Sequence, residues 1–173
     1  MTDWNTIVTR DGPTVWKVLW KLLGERSDVE ECFQETFLAA VEVSRREVVG
    51  SWPALLTRLA TAKAIDRLRV RYRTRRRRSE AIENATHFVT RSANSTTTAD
   101  NPVELAIASE LSERLRVALT ELPDKQAELF VLHALNGWSH RELGERMQMN
   151  ENAVRTALHR ARQRLRELLD VET

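Results

Sequence analysis

The stretch SEAIENATHFVTRSANSTTTADN, Ser79 to Asn101, constrains the fold more than any other part of the chain. Ser, Thr, Asn and Ala dominate it, and large apolar residues are few. Such a segment cannot bury enough apolar surface to offset the entropy of ordering it. It reads as a flexible linker with room for a short helix near its start. The chain, at 173 residues long enough for one ordinary domain or two small ones, is thereby divided into residues 1–78 and 102–173. On both sides apolar residues recur at helical spacing. With 5 Gly, 4 Pro, 1 Tyr and 4 Phe, an all-β fold has little support. The expectation is all-α, with two small helical domains on a flexible polar tether.

Capping signals place the helices. Pro13 suits a first helical position, with Val15, Val18, Leu19, Leu22 and Leu23 forming the apolar side and Gly24 the stop. Ser27 and Glu30 have capping-box spacing for a second helix to about Ser44, whose apolar row is Val29, Cys32, Phe33, Thr36, Phe37 and Ala40. Arg45 to Gly50 reads as a connection. Ser51 then caps a long third helix with Leu55, Leu56, Leu59, Ala62, Ile65 and Leu68 inward, ending in an arginine run. After the linker, Asn101 with Glu104 has box spacing for a helix through Leu119, and Leu122-Pro123 opens another.

The last two helices carry a sharper pattern. Ser139 and Glu142 form a capping box for a short helix ending near Met147, Met149 and Asn150 make a turn, and Asn150 caps the final helix. There Val154, Leu158, Ala161, Leu165 and Leu168 are spaced 4, 3, 4 and 3 residues apart, one inward stripe. Arg155, His159, Arg162 and Arg166 follow the same spacing about 100° further round, with Arg160 and Arg164 on the opposite flank. The stripe orients the helix and leaves its basic flanks outside. Helix, tight turn, helix is the arrangement that sets the second helix into a DNA major groove. The guanidinium fork suits both guanine edges and phosphates.

Charge is segregated despite a net value of only +2. Glu25 to Glu47 holds seven acidic residues against three arginines, and eight of the twelve residues from Arg67 to Arg78 are arginine. Opposite blocks point to two different partners, one of them a polyanion. Cys32 is the only cysteine, which excludes an internal disulfide and a cysteine-based zinc cluster. The opening MTDWNTIVTRDGP lacks a signal-peptide apolar core, and no window approaches a membrane span, so membrane insertion is not expected and the cytoplasm is.

Three stretches in order resemble the extracytoplasmic-function (ECF) sigma factors, the two-domain promoter-recognition subunits of bacterial RNA polymerase. SDVEECFQETFLAAVE, Ser27 to Glu42, resembles the family's core-binding helix. LLTRLATAKAIDRLRVRYRTRRR, Leu55 to Arg77, resembles the helix that faces the minus-ten element. LPDKQAELFVLHALNGWSHRELGERMQMNENAVRTALHRARQRLREL resembles region four. The resemblance implies that residues 1–78 form sigma region two and residues 102–173 form region four, joined by the linker 79–101. It implies that Asp28, Glu30, Glu31, Gln34, Glu35 and Phe37 dock on the clamp coiled coil of the polymerase largest subunit. Trp52, Ala62, Lys63, Asp66, Arg67, Arg69 and Arg71 would face minus-ten DNA, with Arg71 to Arg78 on backbone phosphates. The loop Val43 to Trp52 would capture a flipped base, although Trp52 itself reads better as a core anchor than as a stacking platform. Asn152, Arg155, Thr156, His159, Arg160 and Arg162 would meet the minus-thirty-five element. Core polymerase, promoter DNA and an anti-sigma factor are the implied partners, with no cofactor and no metal. The chain departs from the family at Leu55, where a tryptophan is usual, and at Ala62, where an asparagine is. Asn152 and Ala153 stand for a usual glycine and threonine. These departures bear on promoter preference, not on the fold.

Two other readings compete. A helix-turn-helix regulator would not join the polymerase, and it usually dimerises on paired half-sites. The chain shows no dimer helix or heptad seam, so it is expected to be a monomer when free. A metal-dependent nuclease built on the carboxylates between Asp28 and Glu35 lacks histidines at ligand spacing. His87, His133, His140 and His159 are scattered, and there is no glycine-rich phosphate loop or nucleophile motif. The chain is not expected to be an enzyme.

Overall fold

The computed structural model describes the backbone of residues 2–83 and 102–170 and the side chains of residues 2–80 and 108–169. Among these the secondary structure is helical throughout: α1 Trp4–Leu23, α2 Arg26–Arg46, α3 Trp52–Glu83, α4 Pro102–Thr120, α5 Asp124–Ala134, α6 His140–Met147 and α7 Glu151–Asp170. The capping residues proposed at Asn101 and Glu104, and His87, lie outside the described side chains.

Two helix starts differ from the expectation. Pro13 lies inside α1, which begins nine residues earlier at Trp4. Asp3 supplies the cap, its carboxylate accepting from the Thr6 amide at 3.2 Å and the Thr6 hydroxyl at 2.5 Å. The added turns bury Ile7 and seat Trp4 against the core, which offsets the hydrogen bond an internal proline forfeits. The capping box Ser27–Glu30 does not form. Helix α2 starts a residue before Ser27, with Glu25 at the cap position and no side-chain cap bond, while Glu30 pairs with Arg26 at 2.7 Å. Gly24 stops α1 as expected, at a φ of 67° that favours glycine.

Helices α1, α2 and α3 pack as a bundle around Val15, Leu19, Leu23, Val29, Leu56 and Leu68, all essentially inaccessible to solvent. The inward row of α3 is shifted from the expected one. Leu56, Ile65 and Leu68 are buried with Ala60, Thr61 and Ala64, whereas Leu55, Leu59 and Ala62 are half-buried. Small residues at 60, 61 and 64 let α1 and α2 approach the same stretch of α3. Helices α5, α6 and α7 enclose Leu129, Leu132, Trp138, Leu143, Val154 and Leu158.

The two halves are not separate in space. Helix α3 packs against α4 and α5, and Leu119, Leu122, Ala127 and Val131 join the same apolar core as Leu19, Leu22 and Leu68. Ala54 of α3 completes the second core.

Candidate nucleic-acid interface

The α6–α7 unit is fixed by its termini. The Ser139 hydroxyl accepts from the Glu142 amide at 3.1 Å, and the Glu142 carboxylate accepts from the Ser139 amide at 2.8 Å, so the box forms as read. Gln148 turns the chain in the left-handed region at a φ of 53°, and the Met149 amide returns to the Gly144 carbonyl at 2.9 Å. A Cβ on Gly144 would lie 2.8 Å from the Met149 carbonyl oxygen, so the tight turn itself demands glycine there. Asn150 then caps α7, accepting from the Ala153 amide at 2.7 Å.

On α7, Val154, Leu158 and Ala161 are fully buried and Leu165 nearly so. Asn152, Arg155, Thr156, His159, Arg160 and Arg162 are all exposed, a basic surface held outward by its own core stripe. Arg155 is braced by Glu151 at 2.7 Å, and the Thr156 hydroxyl donates to the Asn152 carbonyl at 2.9 Å. On the neighbouring α6, the Arg146 guanidinium lies over the Trp138 ring, 4.5 Å from its centroid.

A second charged structure lies between α2 and α3. The acids Glu25, Asp28, Glu31 and Glu35 on α2 meet the bases Arg75, Arg71, Arg67 and Lys63 on antiparallel α3, one rung after another. Glu35 pairs with Lys63 at 3.8 Å, Glu31 with Arg67, and Glu25 with Arg75 at 3.6 Å. The innermost rung is Arg71, whose Nε donates to Asp28 at 3.0 Å and whose Nη1 donates to the Leu23 carbonyl at 3.1 Å. Burial pulls the Arg71 pKa down, but Asp28 and Glu25 more than reverse it, leaving the guanidinium firmly charged. Burial also pushes the Cys32 thiol up, against the opposing pull of Arg67, so it is held protonated.

Two family models match the chain in order, Sigma-70 region 2 over residues 7–74 and Sigma-70, region 4 over residues 112–165. The ECF RNA polymerase sigma factor SigF of Caulobacter vibrioides is 31% identical over 172 residues, covering 95% of this chain and 87% of the relative. The chain belongs to the ECF sigma factors. It is therefore a transcription initiation factor of RNA polymerase, and a regulator that leaves the polymerase out is not favoured. SigE of Mycolicibacterium smegmatis is 28% identical over 169 residues, 98% of this chain but only 62% of that longer relative. SigW of Bacillus subtilis is 26% identical over 156 residues, 90% of this chain and 82% of the relative. Among solved structures, the sigma factor RpoE of Bartonella quintana, crystallised with the anti-sigma factor NepR, matches all of both chains. Its TM-score is 0.53 at 18% identity, a likeness of fold.

In this sigma factor the expected surfaces are not independent. Three of the residues expected to face minus-ten DNA, Lys63, Arg67 and Arg71, are ion-paired with Glu35, Glu31 and Asp28, which are expected to meet the polymerase. Arg69 turns the other way, toward Leu122 and Asp124. Asp66 is exposed and Ala62 half-buried. On α2, Gln34 and Glu30 are exposed, whereas Phe37 is half-buried in an aromatic row with Phe33 and Trp16. Trp52 meets Trp4 edge-to-face with centroids 5.0 Å apart and packs on the core. The expected capture loop is shorter than 43–52, because α2 runs through Arg46, and Val48 within it is almost fully exposed. Sequence reasoning missed Arg58, Glu113, Arg116 and Asp124, all at the contact between the halves.

Proposed function

We propose that this sigma factor bridges core polymerase to promoter DNA through both ends. The exposed row of α7, with Arg155, Thr156, His159, Arg160 and Arg162 flanking a fully buried stripe, is the observation that carries the reading. Residues 102–173 act as region four on the minus-thirty-five element. Residues 1–78 act as region two, joined through the linker 79–101. Within region two, Trp52, Ala62, Lys63, Asp66, Arg67, Arg69 and Arg71 serve minus-ten recognition. The α2 surface of Asp28, Glu30, Glu31, Gln34, Glu35 and Phe37 docks on the basic clamp coiled coil of the largest subunit. Charge complementarity there speeds encounter and fixes orientation.

The free protein is a monomer that acts in the cytoplasm, where its polymerase is, and it does no chemistry of its own. Among the described residues no helix is long and apolar enough to cross a membrane. Because the Bartonella quintana protein was crystallised with an anti-sigma factor, a restraining partner of that class is proposed here too.

Gel filtration of the purified chain with core polymerase tests the reading, with wild type beside Glu31→Lys/Glu35→Lys. Stoichiometric co-elution is expected for wild type and loss of it for the variant, with helical content retained. Equal co-elution of both removes the acidic-helix assignment, and failure of the folded wild type to bind removes the sigma reading.

A further inference from the structure

The ladder between α2 and α3 sets four carboxylates against the helix expected to face DNA. Glu25, Asp28, Glu31 and Glu35 span about 15 Å of α2, at a rise of about 1.5 Å per residue. That is one negative charge in about 5 Å, against one in about 3.4 Å along a single DNA strand. Facing them, Lys63 meets Glu35 at 3.8 Å, Arg67 meets Glu31, and Arg75 meets Glu25 at 3.6 Å. Arg71 completes the row on Asp28. The rest of the arginine run is bare. Arg73, Arg77 and Arg78 are exposed and carry no ion pair among the described residues.

Burial separates two kinds of rung. Arg71 and Asp28 are nearly sealed from water and belong to the fold. The outer rungs are open, with side-chain exposures of 38% and 41% for Lys63 and Glu35 and 55% and 51% for Arg75 and Glu25. Glu31 is 55% exposed beside a more enclosed Arg67. Such exposed pairs add little to stability, because water solvates the separated charges almost as well. What they do change is which cations a polyanion can recruit. DNA binding without sequence preference is driven by counterions released when Lys and Arg neutralise phosphates. A cation that must first leave a carboxylate exposes that carboxylate to counterions in turn, and the net release is lost.

We infer that α2 acts as an internal phosphate mimic for α3, with Glu31 and Glu35 keeping Lys63 and Arg67 off the backbone of DNA of arbitrary sequence. The inference rests on α3 being the DNA face of region two. Its effect is selective. Binding to arbitrary sequence depends on phosphate charge, so each masked cation removes a full contact from it. Arg73, Arg77 and Arg78, outside the ladder, supply the contacts that remain. A genome offers on the order of a million or more arbitrary sites, so weaker binding to each leaves more of the chain free.

The test titrates the full chain against a fluorescent duplex of about 20 base pairs without promoter-like sequence, from about 50 to 200 mM salt. Glu31→Gln/Glu35→Gln frees two cations. The log–log salt slope should steepen by about 1.8, which is about 0.9 for each added phosphate contact. Over that range the variant's affinity should fall about twelvefold more than that of wild type. Lys63→Gln/Arg67→Gln should leave the wild-type slope unchanged, yet erase the gain when combined with the first pair. Helical content by circular dichroism should be equal in all four proteins, since these rungs are open to solvent. Should the carboxylate pair fail to fold, Glu35→Gln alone decides, with an expected steepening of about 0.9. An unchanged slope in the folded carboxylate variant overturns the inference. So does a slope that falls by about 1.8 on Lys63→Gln/Arg67→Gln alone, because those cations would then already hold DNA. Core polymerase takes no part in this assay, and the sigma reading stands or falls separately, on co-elution.

Discussion

Replacing Arg71 by alanine separates a structural from a DNA-contacting role for the arginine run. The Arg71 side chain is 10% exposed and that of its partner Asp28 18%, so both charges are largely withdrawn from water. Removing the guanidinium strands the Asp28 carboxylate and leaves the Leu23 carbonyl, at the end of α1, without its donor. Breaking a buried pair from one side costs about 3–5 kcal/mol. Arg67, 4.0 Å from Asp28, retains part of the pairing and sets the expectation at the low end, about 3 kcal/mol. For a chain of this size that is a fall in Tm of roughly 6–12 °C. Asp28→Ala should cost a similar amount. The double variant should then cost less than the sum by about 0.5–3 kcal/mol, because the second removal no longer strands a charge. Thermal unfolding followed by circular dichroism, on wild type, both single variants and the double, closes the cycle. An Arg71→Ala protein with an unchanged Tm but weakened binding to minus-ten DNA would refute the structural role and leave Arg71 with DNA contact alone.

Two further expectations concern region four. Ser139→Ala removes the hydroxyl from the capping box and should lower stability by about 1 kcal/mol, a fall of roughly 2–4 °C in Tm, with binding to minus-thirty-five duplex retained below the transition. Glu128 faces α3, and burial raises its pKa, outweighing the opposite pull of Arg58 and Lys125. Since the folded state favours the neutral carboxyl, stability falls as pH rises through the carboxylate range. Glu128→Gln should therefore raise Tm at pH 7, with the gain shrinking toward pH 4; a gain equal at both values would rule out the charge as its cause.

What could be read from the sequence was local. The stripe Val154, Leu158, Ala161 and the box Ser139–Glu142 depend on residues three and four apart, and both appear as read. Pro13 misled because a proline inside a helix and one at its start look alike in sequence, while the burial of Ile7 that decides between them is tertiary. The one local trace of the earlier start is Asp3, whose carboxylate accepts from the Thr6 amide three residues on. The α2–α3 ladder was half legible. Acids at 25, 28, 31 and 35 and bases at 63, 67, 71 and 75 keep matching helical spacings, but taken alone each set points to an outside partner. Charge blocks of opposite sign on adjacent antiparallel helices satisfy one another first, and only their solvent-facing remainder is offered outward.

The contact between the halves was illegible for a different reason. Leu119, Leu122, Ala127 and Val131 follow helical spacing whether they close a small domain of their own or cover a neighbour, so periodicity reports burial without naming what buries it. The polar rim is equally silent, since Arg69 and Arg116 each donate to a main-chain carbonyl, a partner with no side-chain signature. A chain with a polar linker at its centre therefore reads as two tethered domains even where its surfaces fit together. Region four by itself would expose the apolar face made by these four residues, and an exposed face of that kind wants cover. Region two provides it here: residues of α4 and α5 and the α1–α3 bundle bury one another in a single apolar core.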